Sequence, residues 1–154
     1  MRTKIQNKTA SAEIESLGAQ LMSLKNAEGT EYLWQGNPAF WSSRAPVLFP
    51  TVGNVRGGTT IINGKPYALK RHGFARNLEH SVLDSGANFI AYSLKDSEET
   101  RKLYPFVFEL RVTYRLIENG LTTEFAVFNR GDEELPFGLG DGQFHGGAVE
   151  RAAL

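Results

Sequence analysis

The chain has 154 residues, a length that one domain with a single sizeable core accommodates. Lys plus Arg and Asp plus Glu number 17 each, so the formal charge is zero and nothing favours nucleic acid or an anionic membrane as a partner. With 41% hydrophobic and 22% charged residues the composition is globular, and the lack of cysteine excludes a disulfide scaffold, a thiolate metal site and a cysteine nucleophile.

The first eight residues are basic but carry no apolar core of a secretion signal, and no apolar run approaches membrane-spanning length. A cytoplasmic protein is expected. Short β patterns follow at 12–16, 21–25 and 31–34, and Asn37-Pro38-Ala39-Phe40-Trp41 suits a single helical turn. Asn63-Gly64 predicts a tight hairpin between 59–62 and 65–69, with Pro66 confining the second strand to an edge. Strands are expected at 79–84 and 88–94, with His80 an ordinary surface residue. Residues 96–103 carry a cap, early carboxylates and late cations, which predicts a short helix that Pro105 stops.

The clearest pattern is 106–116, where Phe106, Phe108, Leu110, Val112, Tyr114 and Leu116 take every second position and Glu109, Arg111, Thr113 and Arg115 fill the wet face. Asn119-Gly120 predicts a type I′ turn into a partner strand at 121–128. A last strand is expected at 135–139. From Asp141 the alternation stops, and 141–154 form an atypical Gly-rich tail containing His145 and ending in a helix-like Ala-rich stretch. One all-β domain is expected.

Three histidines titrate near neutrality without special help. His72 stands out, because Lys70-Arg71-His72-Gly73-Phe74-Ala75-Arg76-Asn77 falls between two strands. Imidazole and guanidinium groups in such a loop can hydrogen-bond hydroxyls while the ring packs on an apolar face. The plainer alternative is a histidine that only satisfies loop backbone groups. Trp41, Phe49 and Arg44 suit a carbohydrate site, although composition alone favours the plainer reading of the aromatics as core and Arg44 as a solvated or salt-bridged charge. Gly53 and Gly57-Gly58 lack the Lys-Ser/Thr ending of a phosphate loop, and no strand–glycine–helix context for a dinucleotide exists.

Several stretches carry a resemblance. They are residues 32–41, Arg44-Ala45-Pro46-Val47-Leu48-Phe49-Pro50, Val52-Gly53, Asn63-Gly64-Lys65 and His72-Gly73-Phe74-Ala75-Arg76. Further on come Leu103-Tyr104-Pro105-Phe106, residues 108–114 and Leu135-Pro136-Phe137-Gly138-Leu139-Gly140. In order and spacing they resemble the aldose 1-epimerase (galactose mutarotase-like) family, in its shorter bacterial branch. The resemblance implies an antiparallel β-sandwich whose concave face binds a sugar, with residues 1–140 forming the N-terminal part of one such domain.

It also implies interconversion of the α and β anomers of a free hexose, without cofactor or metal. An acid protonates the ring oxygen, a base takes the anomeric hydroxyl proton, and the ring opens and recloses on its other face. The family uses a histidine as acid and a glutamate as base. By resemblance His72 is the first site histidine and the catalytic candidate. Arg44, Phe74 and Arg76 are substrate-binding candidates, and Asn54 stands where many relatives carry an arginine, with Arg56 nearby. Gly142 occupies the place of a second histidine, His145 lies three positions late, and the later half with the glutamate is absent. The end thus reads as frame-shifted, truncated or otherwise altered, and a half-sandwich with open edges should associate into oligomers. A non-catalytic carbohydrate-recognition domain is the alternative, and a structural β-domain without ligand a third.

Overall fold

The computed structural model describes residues 1–118 and 120–142. The expected turn residue Asn119, the candidate His145 and the Ala-rich end lie outside the described residues. In chain order the elements are β1 (Arg2–Gln6), β2 (Ala10–Glu15), β3 (Gln20–Asn26), β4 (Val47–Leu48), β5 (Thr59–Ile62), β6 (Lys65–Ala68), β7 (Ser81–Gly86) and β8 (Phe89–Lys95). Helix α1 (Glu98–Leu103) then precedes β9 (Phe108–Ile117), β10 (Gly120–Asn129) and β11 (Gly140–Asp141).

All strand pairs are antiparallel. They form a three-stranded sheet β1-β2-β3, a four-stranded sheet β10-β9-β8-β7, the hairpin β5-β6 and the short ladder β4-β11. The two larger sheets share one core. Ile5, Ala12, Ile14 and Leu21 line one side, and Ile90, Tyr92, Leu110, Val112, Tyr114 and Leu116 the other. Each large apolar side chain buried this way contributes roughly 1.5–3 kcal/mol. The Tyr114 hydroxyl, fully buried, donates across the core to the Ala19 carbonyl at 2.8 Å. The period-2 pattern of β9 thus does what its sequence predicts. One position differs: Glu109, expected on a wet face, is 2% exposed.

Local chemistry explains the other differences. No strand forms at 31–34, where a single bridge joins Glu31 to Lys25. The Glu31 carboxylate instead accepts the Leu24 and Leu33 N–H groups, at 2.8 and 3.0 Å, donors that a ladder would otherwise use. Residues 135–139 form no strand either, since Pro136 has no N–H to offer; the chain pairs directly after them, in β11. β1, which precedes the first expected strand, carries no apolar alternation in the sequence because only Ile5 of its five residues is buried. His80 is 3% exposed rather than a surface residue. Its N–H bonds the Ser16 carbonyl and its Nδ1 lies 3.0 Å from the Leu78 carbonyl, so it is tied between β2 and β7.

Other expectations hold. Residues 37–41 make one turn, with the Phe40 and Trp41 N–H groups both donating to the Asn37 carbonyl. Ser97 caps α1, its hydroxyl accepting the Thr100 N–H while the Thr100 hydroxyl accepts the Ser97 N–H. At six residues α1 is far from membrane-spanning length, and no described helix is long and apolar enough to cross a bilayer.

Candidate functional site

An aromatic knot anchors the loops around residue 72. The Phe49 ring meets Phe108 at 5.1 Å between centroids, Phe137 at 5.9 Å, Tyr104 at 6.1 Å and Phe74 at 6.3 Å. Its carbonyl accepts both the Phe74 and Ala75 N–H groups, at 3.0 and 3.2 Å. Gly73 bridges Phe49 in parallel, at φ +67°, and a Cβ on Gly73 would overlap the Phe49 carbonyl. Only glycine fits there. Residues 136–142 close the same region, with the Gly138 N–H on the Pro50 carbonyl at 2.7 Å and the Gly142 N–H on the Pro46 carbonyl at 3.0 Å.

On this anchor His72 adopts φ +68°, a left-handed conformation that costs a branched-off side chain about 1–3 kcal/mol. A two-point clamp with Gly53 holds it. The His72 N–H donates to the Gly53 carbonyl at 2.9 Å, and the Gly53 N–H donates to His72 Nδ1 at 3.0 Å. With Nδ1 accepting from Gly53, the ring proton of the neutral imidazole sits on Nε2. The ring is half-buried, and partial desolvation first, then the charges of Arg71 and Arg76, lower its pKa from the usual 6.5. His72 is therefore a neutral Nε2–H donor at neutral pH.

The two guanidinium groups have no acidic partner, since none of the ion pairs among the described residues involves Arg71 or Arg76. Arg71 is exposed, with Nε 3.1 Å from His72 Nε2, and Arg76 Nη2 donates to the Arg71 carbonyl at 3.1 Å. The short 3₁₀ turn at 75–77 directs Arg76 back over the loop.

The other candidates divide. Asn54 is exposed and follows Gly53, whose backbone clamps His72. Phe74 is 8% exposed and belongs to the aromatic knot, where it supports the loop from below. Arg44 lies apart from His72: its N–H bonds the Gln20 side chain at 3.3 Å, its guanidinium lies against Gly36, and its buried Nε has no partner. Two surface grooves, of about 310 and 600 Å³, are lined by residues 4–29 and by 61–63, 106 and 133–136; neither includes His72. His72 is half-buried and its neighbour Arg71 is exposed, so the loop reaches solvent at this point. Two participants escape the sequence reading: the Gly53 N–H, which has no side-chain signature, and Arg71 as a direct neighbour of Nε2.

This geometry can donate hydrogen bonds to oxygen from an uncharged imidazole in a cationic setting. The sequence profile of the aldose 1-epimerase family matches residues 1–141. Protein LacX (chromosomal) of Lactococcus lactis subsp. lactis is 35% identical over 146 residues, covering 91% of this chain and 49% of LacX. A galactose mutarotase related enzyme from Lactobacillus acidophilus superimposes with a TM-score of 0.89 at 44% identity, over 92% of this chain and 47% of that one. A galactose mutarotase-like protein from Lactobacillus casei ATCC 334 gives a TM-score of 0.89 at 35% identity, over 92% and 48% respectively. The chain spans about half the length of these relatives. The profile match and the shared antiparallel architecture place this chain in the aldose 1-epimerase family.

Proposed function

We propose that this chain binds a hexose at the His72 rim and belongs to a cytoplasmic enzyme that interconverts the α and β anomers of a free aldose. The observation that supports this is the neutral His72, clamped by Gly53 in a left-handed backbone conformation, with Arg71 beside Nε2 and Arg76 bonded to the same loop. A donor of this kind bonds a sugar oxygen and polarises it toward ring opening, while Arg76 and Asn54 meet neighbouring hydroxyls. No metal is needed for that step.

Anomer exchange also needs a base at the anomeric hydroxyl. No carboxylate is bonded to His72 among the described residues, and Gly142 is held against Pro46 where the family resemblance places a second histidine. That favours a second reading, carbohydrate recognition without turnover. Polarimetry of freshly dissolved α-glucose or α-galactose separates them, because a binder perturbs ligand signals without hastening the optical drift. Where the chain does hasten the drift, His72→Asn should slow it at least tenfold. An unchanged rate removes His72 from the site.

A further inference from the structure

We infer that His80 is a proton-sensitive latch: its neutral ring holds the segment that follows Arg76 against the end of β2, and a protonated ring releases it. The inference stands apart from the sugar reading, since it concerns how the loop is held and not what it binds. The latch sits on a short backbone crossing. Residues 16–18, which follow β2, meet residues 78–80, which precede β7, in one antiparallel bridge between Leu17 and Glu79. The Gly18 N–H donates to the Leu78 carbonyl at 2.8 Å and the His80 N–H to the Ser16 carbonyl at 2.9 Å. Just before this point the Arg76 carbonyl lies so close to Gly18 that a Cβ there would approach it to 2.6 Å.

The His80 residue is 3% exposed. A carbonyl cannot donate, so the 3.0 Å contact with the Leu78 oxygen places a ring proton on Nδ1. The same Leu78 oxygen therefore serves both the Gly18 N–H and the imidazole. In the neutral ring Nε2 keeps a lone pair, and that atom is buried without a hydrogen-bond partner among the described residues. An idle acceptor is a modest cost. A second proton turns Nε2 into a donor with no acceptor in reach and sets a charge in a dry site, which costs far more. Opening the crossing hydrates both.

Little around the ring would steady that charge. Burial lowers the His80 pKa from its usual 6.5, and the Leu78 carbonyl and the adjoining Glu79 carboxylate oppose this without reversing it. On the β1–β2 side stand Glu15 and the Met1 ammonium, paired at 2.9 Å, with Arg2 also on Glu15. On β8 stands the fully buried Tyr92 phenol, and Arg76 directs its guanidinium to the Arg71 carbonyl. None of these groups bonds the His80 ring. A base whose folded pKa lies below its unfolded value takes up a proton on opening, so the crossing is firm above pH 6.5 and weakens as pH falls below it.

The test is native-state amide exchange on the full chain, followed by NMR between about pH 7.5 and pH 5, with each rate referred to that of an unstructured peptide at the same pH. Protection of the Gly18 and His80 amides should fall on the order of tenfold across that range, while that of Val112 in β9 holds. His80→Asn keeps an N–H donor near the Leu78 carbonyl and has no proton to gain, so its protection at Gly18 should not change with pH. Constant protection at Gly18 in the unmodified chain, or an equal fall in His80→Asn, overturns the latch. Should the variant fail to fold, ring ¹⁵N spectra of the unmodified chain decide. The latch requires the Nδ1–H tautomer at neutral pH and a His80 midpoint below 6.5; the other tautomer, or a midpoint at 6.5 or above, overturns it.

Discussion

On the outward face of β9 the Glu109 carboxylate accepts hydrogen bonds from Ser93 at 3.0 Å, Arg111 at 2.8 and 3.2 Å, and Arg130 at 2.6 and 3.2 Å. Both guanidinium groups also lie over the Phe128 ring, 4.5 and 4.7 Å from its centroid. Bonds from Arg111 first, then Arg130 and Ser93, hold the Glu109 pKa at about 2 against the opposing effect of burial. A carboxylate with a depressed folded pKa stabilises the fold above its unfolded value and loses that contribution as pH falls toward the folded one. For Glu109 the contribution is complete above about pH 5 and vanishes near pH 2. Breaking one side of a buried ion pair commonly costs about 3–5 kcal/mol, and the partial exposure of Arg111 and Arg130 puts Glu109→Gln at the lower end. Urea unfolding should show the variant less stable at pH 7, with the gap closing between pH 5 and pH 2. A gap independent of pH would mean that packing, not ionisation, carries the loss.

At the level of elements, the loop that presents His72 depends on one backbone crossing. Gly73 lies under Phe49 at φ +67°, with no room for a Cβ, whereas Gly53 at φ +83° has nothing within 4 Å of its Cβ position. Gly73→Ala therefore combines left-handed strain with overlap against a carbonyl that also holds Phe74 and Ala75, and should cost about 3 kcal/mol or more. Gly53→Ala meets only the strain and should cost about 1 kcal/mol. Thermal unfolding of the pair checks this, since equal losses would show that the crossing has slack. The strand β9 was legible because its side chains largely alternate between core and solvent, and β8 because Phe89, Ile90, Tyr92 and Leu94 form a strand-like apolar run that is buried almost throughout. Glu109 and His80 were not, because each is buried by partners remote in sequence: Arg130 in one case, Ser16 in the other. At the site, His72 and Arg76 were visible as loop residues with the right chemistry. The bond from the Gly53 backbone that sets the tautomer, and the burial of Phe74, follow from three-dimensional packing that no local pattern encodes.

The molecule as a whole has an open side. The four-stranded sheet ends at β10, beyond which no strand lies among the described residues. Leu121, Phe125 and Val127 face the core opposite Leu116, Val112 and Leu110, yet they remain only partly buried. β10 runs ten residues with no register shift and no proline, and Glu124 is its one charged residue, so it has few of the devices that usually protect an edge strand from pairing with another chain. Covering that row of apolar side chains removes apolar surface from water at roughly 25 cal/mol per Å², a gain that favours association. Light scattering of the purified chain should accordingly give a mass above 17.1 kDa that falls on dilution. Phe125→Lys places a charge in the row and should shift the distribution toward smaller species at equal concentration, with the strand content unchanged by circular dichroism. A monodisperse monomer with a sharp cooperative melt would count against association, and would mean that the half-exposed row on β10 is tolerated or covered from within the same chain.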